Sequence, residues 1–105
     1  MKNIHVRDLK EKLDRKEDFV LLDVREDHER EIAKLSGDRH IPMNQIPQRL
    51  DELPKDAPIV VYCRSGGRSM NVCAYLESQG DTDVTNVGGG ILAWADHVDP
   101  TVRKY

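Results

Sequence analysis

The 105-residue sequence is poor in aromatic residues and in cysteine, and it lacks a long apolar run. Aromatic residues make up 5% of the chain and charged residues 33%, so the core has to consist mainly of Val, Ile, Leu and Ala. No apolar stretch approaches the ~20 residues of a transmembrane helix, and no signal-peptide pattern opens the sequence. We therefore expect a cytoplasmic protein that does not interact with a membrane.

The sequence also lacks a strong excess of one charge and any metal-binding pattern. A net charge of −3 provides no basic surface for nucleic acid. Cys63 and Cys73 form no CxxC pair, and the four histidines are scattered, so we expect neither a disulfide framework nor a metal site, and no cofactor. A chain of this length has room for one domain, which we place at residues 1–105.

Short apolar runs alternate with amphipathic segments along the chain. Strands are predicted at 4–6, 19–24, 39–41, 59–62 and 84–87, and helices at 7–13, 26–32, 69–79 and 91–95, with one more short helix before Pro54. Strands that alternate with helices at this spacing form βαβ units. We therefore predict an α/β fold with a mostly parallel sheet of about five strands, flanked by helices on both faces.

The segment Cys-Arg-Ser-Gly-Gly-Arg-Ser at 63–69 joins a buried strand to a helix. Its two glycines let the backbone curl so that successive N–H groups point inward and form an anion-binding nest. Helix N-termini and nearby arginines lower a cysteine pKa from about 8.5 to roughly 3.5–7.5. These features predict that Cys63 is a nucleophile. The alternative is that Cys63 is a small buried hydrophobe in a structural turn.

The spacing within this loop distinguishes two kinds of chemistry. Cysteine phosphatases place five residues between the cysteine and a phosphate-binding arginine, whereas four residues separate Cys63 from Arg68, and Tyr62 rather than His precedes the cysteine. The shorter loop leaves less room for a tetrahedral phosphate and favours sulfur transfer. A small cysteine phosphatase or arsenate reductase remains the alternative enzyme, and a non-catalytic binding module is the third hypothesis.

Five segments, in order along the chain, resemble the single-domain rhodanese (thiosulfate sulfurtransferase-like) family. They are LLDVRE at 21–26, HIP at 40–42, RLDELP at 49–54, IVVYCRSGGRS at 59–69 and NVGGGILAW at 86–94. The resemblance implies a rhodanese-like three-layer sandwich. It also implies a sulfurtransferase that moves sulfane sulfur from thiosulfate or a protein persulfide to a thiophilic acceptor, through a persulfide on Cys63.

The candidate site residues follow from the loop and from this resemblance. The substrate- and anion-binding residues are expected to be Arg64, Ser65, Gly66, Gly67, Arg68 and Ser69. We expect Arg64 to face the mouth of the site and Ser69 to cap the helix. Arg68 either binds substrate or holds the loop through a carboxylate, for which Asp23 is the candidate. The resemblance also places Asp23 and Arg25 beside the loop, and the alternative for them is a buried ion pair that fixes strand ends.

Several other residues are given structural roles. Cys73 falls on the apolar stripe of the third helix and is expected to be an inert core thiol, although it is also a candidate for resolving a persulfide. His40 is assigned no functional role, and Trp94 is expected in the core. The glycines at 88–90 are expected to form a turn that brings backbone close to the loop.

The expected partner is a small anionic sulfur donor such as thiosulfate. The tail at 89–100 and the segment around Ser36 are similar to rhodanese domains that are fused to adenylyltransferases. That similarity implies a cysteine desulfurase as a sulfur source, or a sulfur-carrier protein as the acceptor.

Overall fold

The computed structural model describes all residues, 1–105, and shows a five-stranded parallel sheet. The strands are β1 (Lys2–Ile4), β2 (Val20–Asp23), β3 (Arg39–His40), β4 (Ile59–Tyr62) and β5 (Val84–Val87), and their order across the sheet is β1-β5-β4-β2-β3. Each neighbouring pair is parallel. The predicted α/β class with a five-stranded sheet is therefore confirmed.

Four helices flank the sheet: α1 (Val6–Asp14), α2 (Asp27–Ile32), α3 (Gly67–Ser78) and α4 (Gly90–His97). Two 3-10 segments, Met43–Gln45 and Pro47–Glu52, occupy the position of the short helix expected before Pro54. The longest helix has 12 residues, and no helix has the length and apolar character needed to span a membrane.

The central strand β4 divides the core into two clusters, because successive side chains of a strand point to opposite faces of a sheet. Ile59, Val61 and Cys63 pack on one face with residues of α3 such as Val72 and Leu76. Val60 and Tyr62 pack on the other face with residues of α1 and α4, including Leu9 and Trp94. Burial on both faces explains why β4 reads as an unbroken apolar run.

The first strand ends earlier than predicted. We expected a strand over 4–6, but β1 ends at Ile4 and helix α1 begins at Val6. His5 is the N-cap of α1: its Nδ1 accepts a hydrogen bond from the Arg7 amide, and its own amide donates to the Asp8 carboxylate. This reciprocal capping satisfies amides that lack helical partners, and it explains the early helix start.

Helix α3 begins two residues earlier than predicted, at Gly67 instead of Ser69. Its N-cap is Gly66, with a φ of 111°, a left-handed conformation that a residue without Cβ adopts at little cost. As predicted, a left-handed glycine follows the other end of the helix, Gly80 with a φ of 100°. The early start places Arg68 and Ser69 in the first turn of α3, where Ser69 contacts Cys63.

Candidate active site

The Cys63 side chain lies at the carboxyl end of β4, directly below the start of α3. Its Sγ accepts hydrogen bonds from the backbone amides of Gly66 at 3.1 Å and Ser69 at 3.4 Å, and the Ser69 hydroxyl lies 3.4 Å away. Cys63 is 1% exposed. The sulfur therefore sits in a nest of N–H groups at a helix N-terminus, the arrangement that the loop sequence predicted.

These donors stabilise the thiolate form of Cys63. Burial on its own raises the pKa of the Cys63 thiol, because it penalises the charged form. The Ser69 hydroxyl and the amides of Ser69, Gly66 and Ser65 act in the opposite direction, and their combined effect leaves the pKa of Cys63 below its ordinary value. A thiolate is the nucleophilic form of cysteine, so the geometry prepares Cys63 to attack.

Ser69 does not cap the helix, and that prediction was wrong. Gly66 occupies the N-cap position, and the hydroxyl of Ser69 instead contacts the Gly66 carbonyl at 3.2 Å and the Asn86 Oδ1 at 2.5 Å. Ser69 therefore links the sulfur to the end of β5 through Asn86.

Arg68 holds the loop through a carboxylate, but the partner is Glu29 rather than the predicted Asp23. The guanidinium of Arg68 donates Nη1 and Nη2 to the two Glu29 oxygens at 2.6 and 2.9 Å. This bidentate pair is the main reason that the pKa of Glu29 falls to about 2, with burial opposing and the Tyr105 hydroxyl assisting. Asp23 is engaged by other arginines, which explains the different choice of partner.

Arg64 is exposed at the rim of the loop, and two of its guanidinium nitrogens contact Tyr105. Its Nε donates to the backbone carbonyl of Tyr105 at 2.8 Å, and its Nη2 contacts the same oxygen. The guanidinium also lies 5.2 Å from the centre of the Tyr105 ring. Tyr105 thus engages the Nε and Nη2 of Arg64, whereas Nη1 makes no hydrogen bond, and the expectation that Arg64 faces the mouth stays a prediction.

Asp23 and Arg25 form a fully buried ion pair at the end of β2. Arg25 Nη2 lies 2.9 Å from Asp23 Oδ2, and Arg25 also donates to the Ala33 carbonyl at 2.8 Å. Arg30 adds a second contact to Asp23 at 2.8 Å. The pair meets the loop only indirectly, since Arg25 donates to the Tyr105 hydroxyl, which in turn donates to Glu29.

The glycine turn after β5 packs directly on the Cys63 backbone, as predicted. The amides of Ile91 and Leu92 donate to the carbonyls of Cys63 at 2.9 Å and Arg64 at 3.1 Å. A Cβ built on Gly90 would stand 2.4 Å from the Cys63 carbonyl oxygen. The ends of β4 and β5 are therefore held together here by backbone contacts that require a glycine.

The profile of the family described as Rhodanese-like domain matches residues 5–97. The chain belongs to this family. Its solved relatives include a rhodanese-like domain protein from Staphylococcus aureus, which is 34% identical, has a TM-score of 0.86, and aligns over 100% of this chain and 99% of that chain.

Named relatives of this rhodanese domain perform or include sulfur transfer. A sulfurtransferase from Allochromatium vinosum is 45% identical over 94 residues, which is 90% of this chain and 88% of that protein. The adenylyltransferase and sulfurtransferase MOCS3 of Arabidopsis thaliana is 31% identical over 118 residues, which cover 97% of this chain but 25% of that protein. The predicted enzyme class, a rhodanese-type sulfurtransferase, is confirmed by such relatives.

The other residues named in the sequence analysis lie in the core or contact the backbone of the rhodanese domain. Cys73 is fully buried in the core, and burial raises its pKa to about 12. Trp94 is buried with the second core cluster. The Nε2 of His40 lies 2.6 Å from the Arg25 carbonyl at the end of β3. Both cysteines are free thiols.

Sequence reasoning missed three residues around the loop: Glu29, Asn86 and Tyr105. Glu29 sits in a charged segment where nothing distinguishes it from its neighbours, and Tyr105 is 76 residues away from the carboxylate that it contacts. Asn86 offered one signal, since it is a polar residue in a strand whose four residues are all buried. A buried amide needs hydrogen-bond partners, and here Ser69 and Asn3 supply them.

Proposed function

We propose that this rhodanese domain transfers sulfane sulfur through a persulfide on Cys63, with the loop at 64–69 stabilising the sulfur anion. The observation that carries the proposal is the set of polar groups around Sγ: the amides of Gly66 and Ser69 donate to it at 3.1 and 3.4 Å, and the Ser69 hydroxyl lies 3.4 Å away. Preorganised donors of this kind stabilise charge at the reacting atom without reorganisation. The catalytic unit is one domain, residues 1–105.

Two half-reactions complete one turnover. In the first, the Cys63 thiolate attacks the outer sulfur of the donor, an Sγ–S bond forms, the S–S bond of the donor breaks, and its electron pair leaves with the donor fragment. With thiosulfate that fragment is sulfite, and with a persulfide it is a thiolate. In the second, an acceptor nucleophile such as cyanide takes the outer sulfur and returns the thiolate, so no external oxidant or reductant is consumed. The covalent intermediate predicts ping-pong kinetics.

The alternative of phosphoryl transfer receives no support from the geometry. A cysteine phosphatase needs a free arginine to bind the phosphoryl oxygens. In this domain, the Nη1 and Nη2 of Arg68 both donate to the Glu29 carboxylate. The amides of Gly66 and Ser69 converge on the cysteine sulfur. A loop that converges on one sulfur atom suits a persulfide better than a tetrahedral phosphate.

The sulfur donor is thiosulfate or a protein persulfide, and a cysteine desulfurase is a source of the latter. For the acceptor, the similarity to a segment of MOCS3, a protein named both adenylyltransferase and sulfurtransferase, supports a sulfur-carrier protein. The small net charge of −3 supports neither nucleic acid nor an anionic membrane as a partner. Catalysis needs a free thiol at Cys63, and the cytoplasm, which keeps thiols reduced, is the expected location.

Steady-state kinetics test this function. We expect thiocyanate to form from cyanide when a sulfur donor is present, with parallel double-reciprocal lines as the second substrate is varied. Cys63→Ser should abolish formation of thiocyanate. An unchanged rate in Cys63→Ser, or turnover of aryl phosphates at a rate comparable to sulfur transfer, would contradict the proposal.

A further inference from the structure

We propose that Glu29 and Tyr105 determine the donor class of this site: they disfavour small dianionic donors such as thiosulfate and favour sulfur carried as a persulfide on a thiol. The inference rests on the sulfurtransferase function proposed above and narrows its substrate. Both residues lie outside the Cys63 loop, and each one occupies an arginine that the loop contributes.

The two donor chemistries place different demands on the protein. Thiosulfate brings two negative charges to a cysteine that is itself a thiolate, and it releases sulfite, which is also a dianion. Repulsion between like charges is strong where water is partly excluded, so a site for thiosulfate needs cationic side chains with free N–H groups. A protonated persulfide, R–S–SH, carries no charge on the attacked sulfur, and its leaving group carries one charge.

Glu29 occupies the arginine that lies nearest to the helix start. Its two oxygens accept both terminal nitrogens of Arg68 at 2.6 and 2.9 Å, and the Glu29 side chain is only 8% exposed. The same carboxylate also accepts the Glu26 amide and the Tyr105 hydroxyl. The Glu29 carboxylate therefore accepts four hydrogen bonds from three residues. It neutralises the charge that Arg68 would otherwise present to an anion.

Tyr105 engages two of the three guanidinium nitrogens of the other loop arginine, Arg64. Its carbonyl accepts the Nε and Nη2 of Arg64, and its ring lies against the guanidinium. The Tyr105 hydroxyl donates to Glu29 at 2.6 Å and accepts from Arg25 at 2.8 Å. These two hydrogen bonds fix the position of the Tyr105 ring. One tyrosine thereby connects Arg64 to the Glu29–Arg68 pair.

The arginines behind the rim are paired as well. Arg25 is bound to Asp23 at 2.9 Å, and Arg30 is bound to Asp38 at 2.7 Å. Arg25, which follows β2, and Arg30, on α2, are therefore compensated by carboxylates within the domain. A donor whose outer sulfur is uncharged needs none of them, since the amides at Cys63 already stabilise the anion that remains.

The experiment measures how fast Cys63 is loaded by two donors. Mass spectrometry follows the gain of one sulfur atom with thiosulfate, and separately with the persulfide of N-acetylcysteamine, whose carrier is uncharged. The ratio of the thiosulfate to the persulfide rate constant is compared between the unmodified protein, Glu29→Gln and Tyr105→Ala. Both constants come from one preparation, so a loss of folded protein cancels in the ratio. Tyr105→Phe provides a milder second variant.

We expect the ratio to rise about tenfold in Glu29→Gln, the effect of roughly one hydrogen bond to a charged group. Tyr105→Ala keeps the main-chain oxygen that contacts Arg64, but it removes the hydroxyl whose contacts with Glu29 and Arg25 hold residue 105 against Arg64. We therefore expect the ratio to rise in Tyr105→Ala as well. Added salt should reduce this gain, because it arises from a newly available positive charge. Arg64→Ala combined with Tyr105→Ala should cancel the gain of the latter. Glu31→Gln, an exposed change on the same helix α2, should leave the ratio unchanged and serves as the matched control.

An unchanged ratio in both Glu29→Gln and Tyr105→Ala, with sulfur still gained on Cys63, would overturn the inference and leave the sulfurtransferase function intact. Failure of both donors to add sulfur to Cys63 would instead contradict the proposed function. A third arm, a cysteine desulfurase supplied with cysteine, separates the two sources of a persulfide. Faster loading by the desulfurase than by the small persulfide identifies a protein donor, and the reverse identifies a small thiol.

Discussion

Gly90 lies so close to Cys63 that a methyl group on its Cα would stand 2.4 Å from the Cys63 carbonyl oxygen. The first residue of α4 thus rests on the backbone of the residue that the proposed chemistry uses. With a φ of 58°, Gly90 is also in a conformation that other residues adopt only at a cost. The glycine turn therefore packs directly against the backbone of the Cys63 loop.

Replacing Gly90 with alanine should move the loop and slow sulfur transfer. The cost of the left-handed conformation alone is about 1–2 kcal/mol, and the contact with backbone oxygens adds to it. Gly37→Ala is a matched control, since Gly37 has a φ of 77° but nothing within 4 Å of its Cβ position. Urea unfolding and transfer kinetics check both variants. Equal losses in the two variants would show that the Gly90 contact has no special role.

The Ser69 hydroxyl should contribute to the low pKa of Cys63. In Ser69→Ala the sulfur keeps its amide donors but loses the hydroxyl at 3.4 Å, so the pKa of Cys63 should rise. The pH profile of alkylation by iodoacetamide measures this value. Ser78→Ala, on the exposed end of the same helix, is the control. An unchanged pKa of Cys63 in Ser69→Ala would show that the hydroxyl does not stabilise the thiolate.

Alkylation of the native protein should occur at Cys63 and spare Cys73. Burial raises the pKa of Cys73 to about 12, while the donors around Cys63 lower its pKa below the ordinary value. The thiolate is the reactive form of cysteine, so Cys63 should be alkylated first. Peptide mapping after brief alkylation at about pH 7 gives the ratio of labelled Cys63 to labelled Cys73. Cys73→Ser should keep most of the transfer activity. Labelling of Cys73 before unfolding, or loss of transfer in Cys73→Ser alone, would reverse the assignment of the two cysteines.

Much of the fold followed from local patterns in the sequence. The apolar run at 59–62 and the two glycines after it were sufficient to place a buried strand, a tight loop and a cysteine at its mouth, and the structure shows all three. The parallel sheet followed from the alternation of strands and helices. These features depend on residues that are neighbours in the chain.

The partners of the loop arginines could not be predicted, because they come from distant parts of the chain. Asp23 was the predicted partner of Arg68, and the choice of Glu29 instead depends on Asp23 being engaged by Arg25 and Arg30. Tyr105 meets Arg64 across 41 residues. Tertiary packing determines which of these residues meet, and the local patterns of a single sequence do not predict such contacts.

The Glu29–Arg68 pair should make part of the stability dependent on acid pH. The pKa of Glu29 is about 2 in the folded protein and near 4.5 in the unfolded chain, so its contribution is present above about pH 4.5 and is lost as the pH falls toward 2. Glu29→Gln should flatten the pH dependence of unfolding in this range. Urea midpoints at about pH 7 and about pH 3 measure it, with Glu31→Gln as control. An unchanged pH slope in Glu29→Gln would show that the pair does not stabilise the fold.

The most direct test of the central claim is the mass of the protein after incubation with a sulfur donor. We expect the unmodified protein to gain one sulfur atom, which a reductant removes and which peptide mapping places on Cys63. Cys73→Ser should gain the same atom, and Cys63→Ser should gain none. A sulfur atom that appears on Cys73, or an unmodified protein that gains no sulfur from either thiosulfate or a persulfide, would contradict the account.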